Sequence, residues 1–328
     1  LYGMGEVLVK QGQPQRALVP ISTLMTQAPD SPLADDALFL KGICLCRLED
    51  FPEAIRAFQS LRDRYPDSRY RARARDRNTH LLRMLQAREG EARDLYSQIH
   101  FVLPGLSSEW RIRSVISMAT DAANRMAIAD SRSGVVHVLD PEGTPLSRTD
   151  IKQPSAVWLG PDGLLASSRG DVIEGARRIS LIFGGDGQRV GEAAYIARDP
   201  LSRLIVWDKK SDNVLRFGEG MAFDTILSDG RQQRVDAAAV GEDGSVYLLD
   251  SRERTVRVLQ PGGGTRNVPI GLEALLRRPD FMAVDFLGNI YVMDTSSRAI
   301  GAFEPGGSVL AQVVSGKEDG APFPRPLA

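Results

Sequence analysis

The sequence predicts a chain in two parts, a short α-helical solenoid followed by a closed ring of four-stranded β-sheets, a β-propeller. Near the N-terminus, Gly5, Ala17 and Pro29 recur as Gly42, Ala54 and Pro66, each pair 37 residues apart (42−5, 54−17, 66−29). Further on, a strand–turn–strand phrase recurs as MATDAANRMAIAD (118–130), AVWLGPDGLLASS (156–168), IARDPLSRLIVWD (196–208), AAVGEDGSVYLLD (238–250) and MAVDFLGNIYVMD (282–294). The aligned ends of these phrases are Asp130, Ser168, Asp208, Asp250 and Asp294, spaced 38, 40, 42 and 44 by subtraction. Repeats that cannot bury an apolar face alone must stack, and units of about 40 residues with short strands are the mark of propeller blades.

Composition narrows the function classes. The chain has 328 residues, 42% hydrophobic and 25% charged, which is ordinary for a globular protein and long enough for two domains. Its formal net charge is −1, without the basic footprint that nucleic-acid binding requires. No apolar run approaches the ~20 residues needed to span a bilayer. The opening LYGMGEVLVK carries no initiator Met and starts partway through a helical repeat, so the natural protein is expected to extend upstream. Cys44 and Cys46 point about 200° apart on a helix and cannot readily bridge each other.

Residues 1–66 read as two helical hairpins. Leu38, Phe39, Ile43, Leu45 and Leu48 make one helix apolar over much of its circumference, and Ala54, Ile55, Phe58 and Leu61 give the next a packing face. Pro52 suits a first helical turn, Pro66 stops the helix, and Asp67-Ser68 offers the next cap, as Pro29, Asp30 and Ser31 do in the earlier copy. Residues 67–98 then read as one long capping and connecting helix, with Tyr70, Ala74, Leu81 and Leu85 facing inward and Arg69, Arg71, Arg73, Arg75 and Arg77 on the remainder. Gly42, Ala54, Phe58 and Pro66, and Gly5, Ala17, Ile21 and Pro29 before them, resemble the tetratricopeptide repeat (TPR) family. The YPDSRYRARA wording also resembles helical repeats of bacterial envelope proteins, including outer-membrane assembly lipoproteins.

Residues 99–328 read as the propeller. After each Asp-terminated strand comes a third strand, VVHVLD (135–140), NVLRFGEG (213–220), TVRVLQPGG (255–263) or AIGAFEPGG (299–307), and then a weaker fourth. The second unit departs most, with Ser168 in place of Asp and an insertion read around Val172–Arg178. FMAVDFLGNIYVMDTSSRAIGAFEPGG (281–307) resembles the NHL-repeat family of β-propellers, and the Asp130 and Asp250 units fit it well. The closing PFPRPLA (322–328) matches the opening of a unit, with Pro324 on Pro279 and Ala328 on Ala283, while QIHFVLPG (98–105) reads as a third strand. These imply six blades, the sixth incomplete and closed by pairing of N- and C-terminal strands, which removes exposed sheet edges.

The candidate sites each carry a functional and a structural reading. In the TPR family the first helix of each pair lines a peptide groove, which implies Tyr2, Glu6, Lys10, Asp36, Phe39, Ile43 and Arg47 here. The rival reading is intramolecular packing of the same face. On the propeller, Arg132, Trp207, Lys209, Lys210, Arg252, Arg254 and Arg298 form a candidate rim for protein partners, since Arg and aromatic residues are frequent hot spots; ordinary solvated turns are the alternative. Asp121, Asp199 and Asp285 occupy equivalent inner-strand ends and are the weak candidates for a hard cation, against a role in capping their own turns. His80, His100 and His137 lack the convergent partners of a zinc or nucleophilic site. The histidine set of the metal-dependent lyases among NHL-type propellers is missing, so that activity is not carried over. GGDG (184–187) and PGGG (261–264) read as hairpin turns, lacking the context of a phosphate loop.

No catalytic constellation and no cofactor site emerges. The expected role is a non-enzymatic protein–protein interaction scaffold, with other proteins of a multi-subunit complex as partners and neither nucleic acid nor a membrane span. The resemblances imply a bacterial periplasmic or cell-envelope setting. The alternatives are a ligand binder or metal-dependent lyase or lactonase-like enzyme using the propeller channel, and a self-assembling structural subunit.

Overall fold

The computed structural model describes residues 1–88, 110, 112–230, 234–271 and 276–314. The chain divides into two compact units, Leu1–Gln98 and Ile99–Ala328.

The first unit contains α1 (Tyr2–Lys10), α2 (Pro14–Gln27), α3 (Ala34–Arg47), α4 (Phe51–Arg64) and α5 (Arg71–Arg88). Consecutive helices pack against one another, and α1 also reaches α3. The recurring glycines allow this approach. A Cβ on Gly5 would lie 2.7 Å from Ile21 Cγ1, and one on Gly42 would lie 2.4 Å from Phe58 Cε1. Ala17, Ala54 and Phe58 are all fully buried at these crossings. The helix signals act where the sequence puts them: Asp50 accepts a hydrogen bond from the Glu53 N–H at 3.4 Å, and Pro52 sits in the first turn of α4. The long helix read beyond Ser68 is α5 as far as Arg88, and residues 89–98 lie outside the described residues. Its buried face is Ala74, Arg77, Asn78, Leu81 and Met84. The sequence reading placed Arg77 among the outward arginines; the structure buries it, because helical spacing puts it between Ala74 and Leu81 on the packed side.

In the second unit, five antiparallel four-stranded sheets follow one another among the described residues, each with its strands in sequence order. Blade 1 is β1 (Val115–Thr120), β2 (Met126–Asp130), β3 (Val135–Leu139) and β4 (Pro145–Asp150). Blade 2 is β5 (Pro154–Gly160), β6 (Gly163–Ser168), β7 (Asp171–Glu174) and β8 (Arg177–Ser180), followed by a small hairpin of β9 (Ile182–Phe183) and β10 (Gln188–Arg189). Blade 3 is β11 (Ala193–Arg198), β12 (Leu204–Asp208), β13 (Asn213–Phe217) and β14 (Phe223–Ser228). Blade 4 is β15 (Ala237–Val240), β16 (Val246–Asp250), β17 (Thr255–Leu259) and β18 (Thr265–Pro269). Blade 5 is β19 (Phe281–Val284), β20 (Ile290–Asp294), β21 (Ala299–Phe303) and β22 (Val309–Val314).

The residues aligned from sequence, Asp130, Ser168, Asp208, Asp250 and Asp294, each end the second strand of a blade. The reading of an insertion at Val172–Arg178 is corrected. That stretch is the β7–β8 hairpin, in which Glu174 pairs with Arg177 across a tight turn and Gly175 takes φ +58°. The additional chain of blade 2 is the β9–β10 hairpin. Neighbouring blades pack face to face through separate apolar cores. Val136, Val138 and Val157 join blades 1 and 2; Leu165, Val206 and Phe217 join blades 2 and 3. Ile205, Val214 and Leu248 join blades 3 and 4; Leu249, Val258 and Val292 join blades 4 and 5. Alternation along each strand gives every blade two apolar faces, so each must be sandwiched. The first strand of every described blade lines one shared cavity, which fixes a common centre. The segments read as the sixth blade, 98–105 and 322–328, lie outside the described residues.

Candidate interaction surfaces

In the helical unit, the residues of the expected groove meet a cluster supplied by the segment entering α5. The Asp36 carboxylate accepts a hydrogen bond from the Tyr70 hydroxyl at 3.0 Å and pairs with the Arg69 guanidinium. The Tyr70 ring stacks on Phe39 with centroids 4.4 Å apart and planes 12° from parallel. The guanidinia of Arg73 and Arg77 stand 5.1 and 5.0 Å from the Phe39 centroid, within cation–π range. Phe39 is 6% exposed and Ile43 8%, so both belong to the packed floor rather than to an open wall. Tyr2, Glu6 and Lys10 are half-buried on α1, with Lys10 Nζ 3.1 Å from Glu6. Burial pushes the Tyr2 phenol up, and the neighbouring Tyr70, Glu6 and Asp36 add to it. The Arg47 guanidinium donates to the Val9 carbonyl at 2.8 Å, tying the two repeats together.

This arrangement is aromatic and cationic at once. Half-buried Tyr70 and Arg73 and exposed Arg69 border it, while Asp36 neutralises part of the charge. The sequence reading names Asp36 and Phe39 for the groove and puts Tyr70 on the packing face of the next helix, but sets the arginines apart as that helix's exterior. The available signal was the adjacency of an aromatic and a cation at Arg69-Tyr70, one residue before the helix starts.

On the propeller, the residues of the expected rim separate. Arg132, Lys209, Lys210 and Arg252 are exposed, Arg254 and Arg298 are half-buried, and Trp207 is buried between blades 3 and 4. Arg254 and Arg298 occupy the same turn position with φ +51° and +55°, where blade 1 has Gly134 at +68°. The turn ties them to a backbone role as well as a surface one.

The recurring second-strand carboxylates stitch each blade's entry to its turn. Asp130 accepts from the N–H groups of Arg113, Ser114, Arg132 and Ser133 and from the Ser133 hydroxyl. Asp208 does the same with Gly191, Glu192, Lys210 and the Ser211 hydroxyl. Asp294 takes Arg278, Ser296 and Ser297. Burial alone would push the Asp294 carboxyl up; the hydrogen bonds from Arg278, Ser296 and Ser297 outweigh it and hold it at about 2. Blade 2 replaces the device with the Ser168 hydroxyl donating to the Lys152 carbonyl at 2.6 Å. In blade 4, among the described residues, Asp250 holds only its own turn, and Asp236 grips the Ser251 N–H from the other side.

The inner-strand carboxylates are likewise spent on turns. Asp121 accepts from the N–H groups of Ala123 and Arg125, Asp199 from those of Leu201 and Arg203, and Asp285 from those of Leu287 and Asn289. The Arg125 and Arg203 side chains and the Tyr291 hydroxyl take the remaining oxygens. Among the described residues, no three His, Cys, Asp or Glu side chains come together to hold a metal.

The shared central cavity has a volume of about 360 Å³. Val115, Met118, Val157, Tyr195, Phe281 and Met293 are among its lining residues. Several of its polar members are already hydrogen-bonded: the Ser117 hydroxyl accepts from the Val157 N–H, the Tyr195 hydroxyl accepts from the Val240 N–H, and Asp280 holds Thr295. His137 lies on β3, 1% exposed, with its ring centroid 5.5 Å from that of Trp110. Burial pushes its imidazole down, favouring the neutral form. His80 is half-buried on α5, and His100 lies outside the described residues. Cys44 and Cys46 are free and buried, and burial pushes the Cys44 thiol up to about 11, away from a reactive thiolate. No described helix is long and apolar enough to cross a membrane.

Comparison with known proteins agrees with the two architectures. Residues 36–68 match the tetratricopeptide repeat family. No curated protein matches the chain in sequence. Among solved structures, a chain of a nidogen/laminin complex aligns with a TM-score of 0.50 and 16% identity, covering 61% of this chain and 80% of that one. A virginiamycin B lyase from Staphylococcus aureus aligns with a TM-score of 0.46 and 9% identity, covering 66% and 75%. The gluconolactonase XC5397 from Xanthomonas campestris aligns with a TM-score of 0.46 and 14% identity, covering 62% and 76%. At these identities the likeness concerns fold alone. The chain thus combines a tetratricopeptide repeat with a β-propeller.

Proposed function

We propose that the protein is a non-enzymatic interaction scaffold in a bacterial cell-envelope assembly, with the helical unit holding a protein partner. The observation that carries this reading is the Asp36–Tyr70–Phe39 cluster with its surrounding arginines, set in a region that matches an interaction repeat. A rigid stack of two aromatic rings beneath guanidinium groups offers a preorganised surface for an acidic or aromatic segment. The propeller contributes a second rigid body with charged turns, Arg132, Lys209, Lys210 and Arg252 among them.

The test is co-purification from the native organism with wild-type protein and a Tyr2→Ala/Arg73→Glu double variant. These half-buried side chains can be changed with less damage than buried Phe39. The reading expects specific partners to be lost with the double variant while its circular dichroism is retained. Partners retained unchanged would contradict it. A second reading, a small-molecule site in the propeller centre, is favoured by the central cavity of about 360 Å³, within the common range for such sites. It expects a small molecule to be recovered from the denatured protein and lost from a Met293→Trp variant.

A further inference from the structure

The two ends of the propeller spend their charges differently. In each blade the segment entering the first strand and the turn between the second and third strands share one end. Asp130, Asp208 and Asp294 bind N–H groups from both. That end carries Arg113, Lys152, Arg277 and Arg278 just before first strands, and Arg132, Lys209, Lys210 and Arg252 in the turns, all exposed. Among the described residues, none of these side chains makes an ion pair or a hydrogen bond. Asp130, Asp208 and Asp294 beside them are buried and turned to backbone N–H and serine hydroxyl groups. The exposed carboxylates at this end, among the described residues, are Glu253 and, on an outer strand, Asp150, which pairs with Arg148 at 3.4 Å. The opposite end is reversed: Glu142, Asp162, Glu219 and Glu242 are exposed in its turns, while Arg125 and Arg203 are paired with Asp121 and Asp199. The central cavity lies toward the cationic end. Its lining takes Val115, Ala194 and Phe281 from the starts of first strands, and Trp207 and Met293 from near the ends of second strands.

We propose that the cationic end of the propeller docks an acidic segment of a partner protein, with one apolar side chain of that segment seated in the central cavity. Exposed guanidinium and ammonium groups that hold no carboxylate of their own pair with a partner's without breaking an existing salt bridge. Together they draw an acidic partner in and orient it. The cations are spread over all five described blades, from Arg132 and Lys152 to Lys209, Arg252 and Arg278. The matching ligand therefore carries several carboxylates spaced apart, as an acidic peptide does and a single small anion does not. An apolar centre inside a charged rim is the anatomy of a protein interface, and the cavity of about 360 Å³ has room for one large side chain. The inference rests on the scaffold reading in taking the ligand to be protein, and it does not depend on the surface of the helical unit.

The test titrates the full chain into a fluorescein-labelled, capped Glu-Glu-Trp-Glu-Glu peptide and follows anisotropy. Saturable binding that weakens as sodium chloride is raised is expected, with no binding of Lys-Lys-Trp-Lys-Lys. K209E/K210E and R277E/R278E should each lower the affinity about tenfold, and E142Q/E219Q at the opposite end should leave it unchanged; all of these side chains are exposed. Glu-Glu-Ala-Glu-Glu should bind more weakly than the Trp peptide. No binding, equal loss with E142Q/E219Q, or equal affinity for the Trp and Ala peptides would overturn the proposal. So would binding to phosphatidylglycerol vesicles with the peptide ignored. The Tyr2→Ala/Arg73→Glu variant should bind the peptide normally. If the peptide is ignored while co-purifying partners are still lost with that variant, this proposal fails alone; if no partner co-purifies at all, the scaffold reading fails.

Discussion

The two units satisfy buried carboxylates in opposite ways. In the helical unit, Asp36 is held by side chains from a different element, the Tyr70 hydroxyl and the Arg69 guanidinium. In the propeller, Asp130, Asp208 and Asp294 are held mainly by backbone N–H groups of their own turn and of the segment entering the same blade. The propeller device is local and recurs, so it builds one blade after another. The Asp36 cluster occurs once among the described residues, joins Asp36 to Phe39, Tyr70 and the arginines around them, and leaves polar edges facing outward. Repeated motifs therefore report architecture, and the departures from them are where binding surfaces can be sought.

Substitutions can break this contrast, unit by unit. The largest effect is expected from Phe58→Ala, which empties the space under Gly42 and should cost about 3–5 kcal/mol. Denaturant unfolding should show that loss in helical circular dichroism while β-sheet signal melts where it did before. Next is Asp294→Ala, which strands the Arg278 and Ser297 N–H groups; a loss of about 2–3 kcal/mol confined to the propeller transition is expected. The smallest is Lys10→Ala, whose partly exposed pair with Glu6 should be worth about 0.5 kcal/mol or less.

Acid sharpens the same comparison. The Asp294 carboxyl is depressed to about 2 in the folded chain, below an unfolded value of about 3.9. Its contribution is therefore present above that unfolded value and is lost as pH falls through about 4 towards 2. Asp130 shifts in the same direction: burial raises it, but the Arg113 and Ser133 hydrogen bonds more than compensate. Propeller stability should fall in that window, and Asp294→Asn should flatten part of the fall, as read from melting temperature against pH.

Much of this organisation was legible in the sequence because its signals are local. Gly42 and Phe58 advertise a close crossing, and Asp294 ends a strand that alternates as it should. The β7–β8 turn was less legible, since Glu174-Gly175-Ala176-Arg177 is a tight hairpin lacking the expected spacing of its neighbours. The sites were harder still. Whether Phe39 lines a groove or a floor depends on Tyr70, just before α5, and on Arg73 and Arg77 within it, arriving from elsewhere in the chain. No periodicity encodes such contacts.

The account's central claim, that the helical unit holds a protein partner, is tested most directly by site-specific photo-crosslinking in the native organism. A photoreactive residue would be placed at Tyr2, at Glu6, or as a control at Arg178 on an outer propeller strand. The account predicts discrete, reproducible adducts of a defined protein from Tyr2 and Glu6 that vanish with Arg73→Glu. Adducts absent from both helical positions, or equally abundant at all three and indifferent to Arg73, would contradict it.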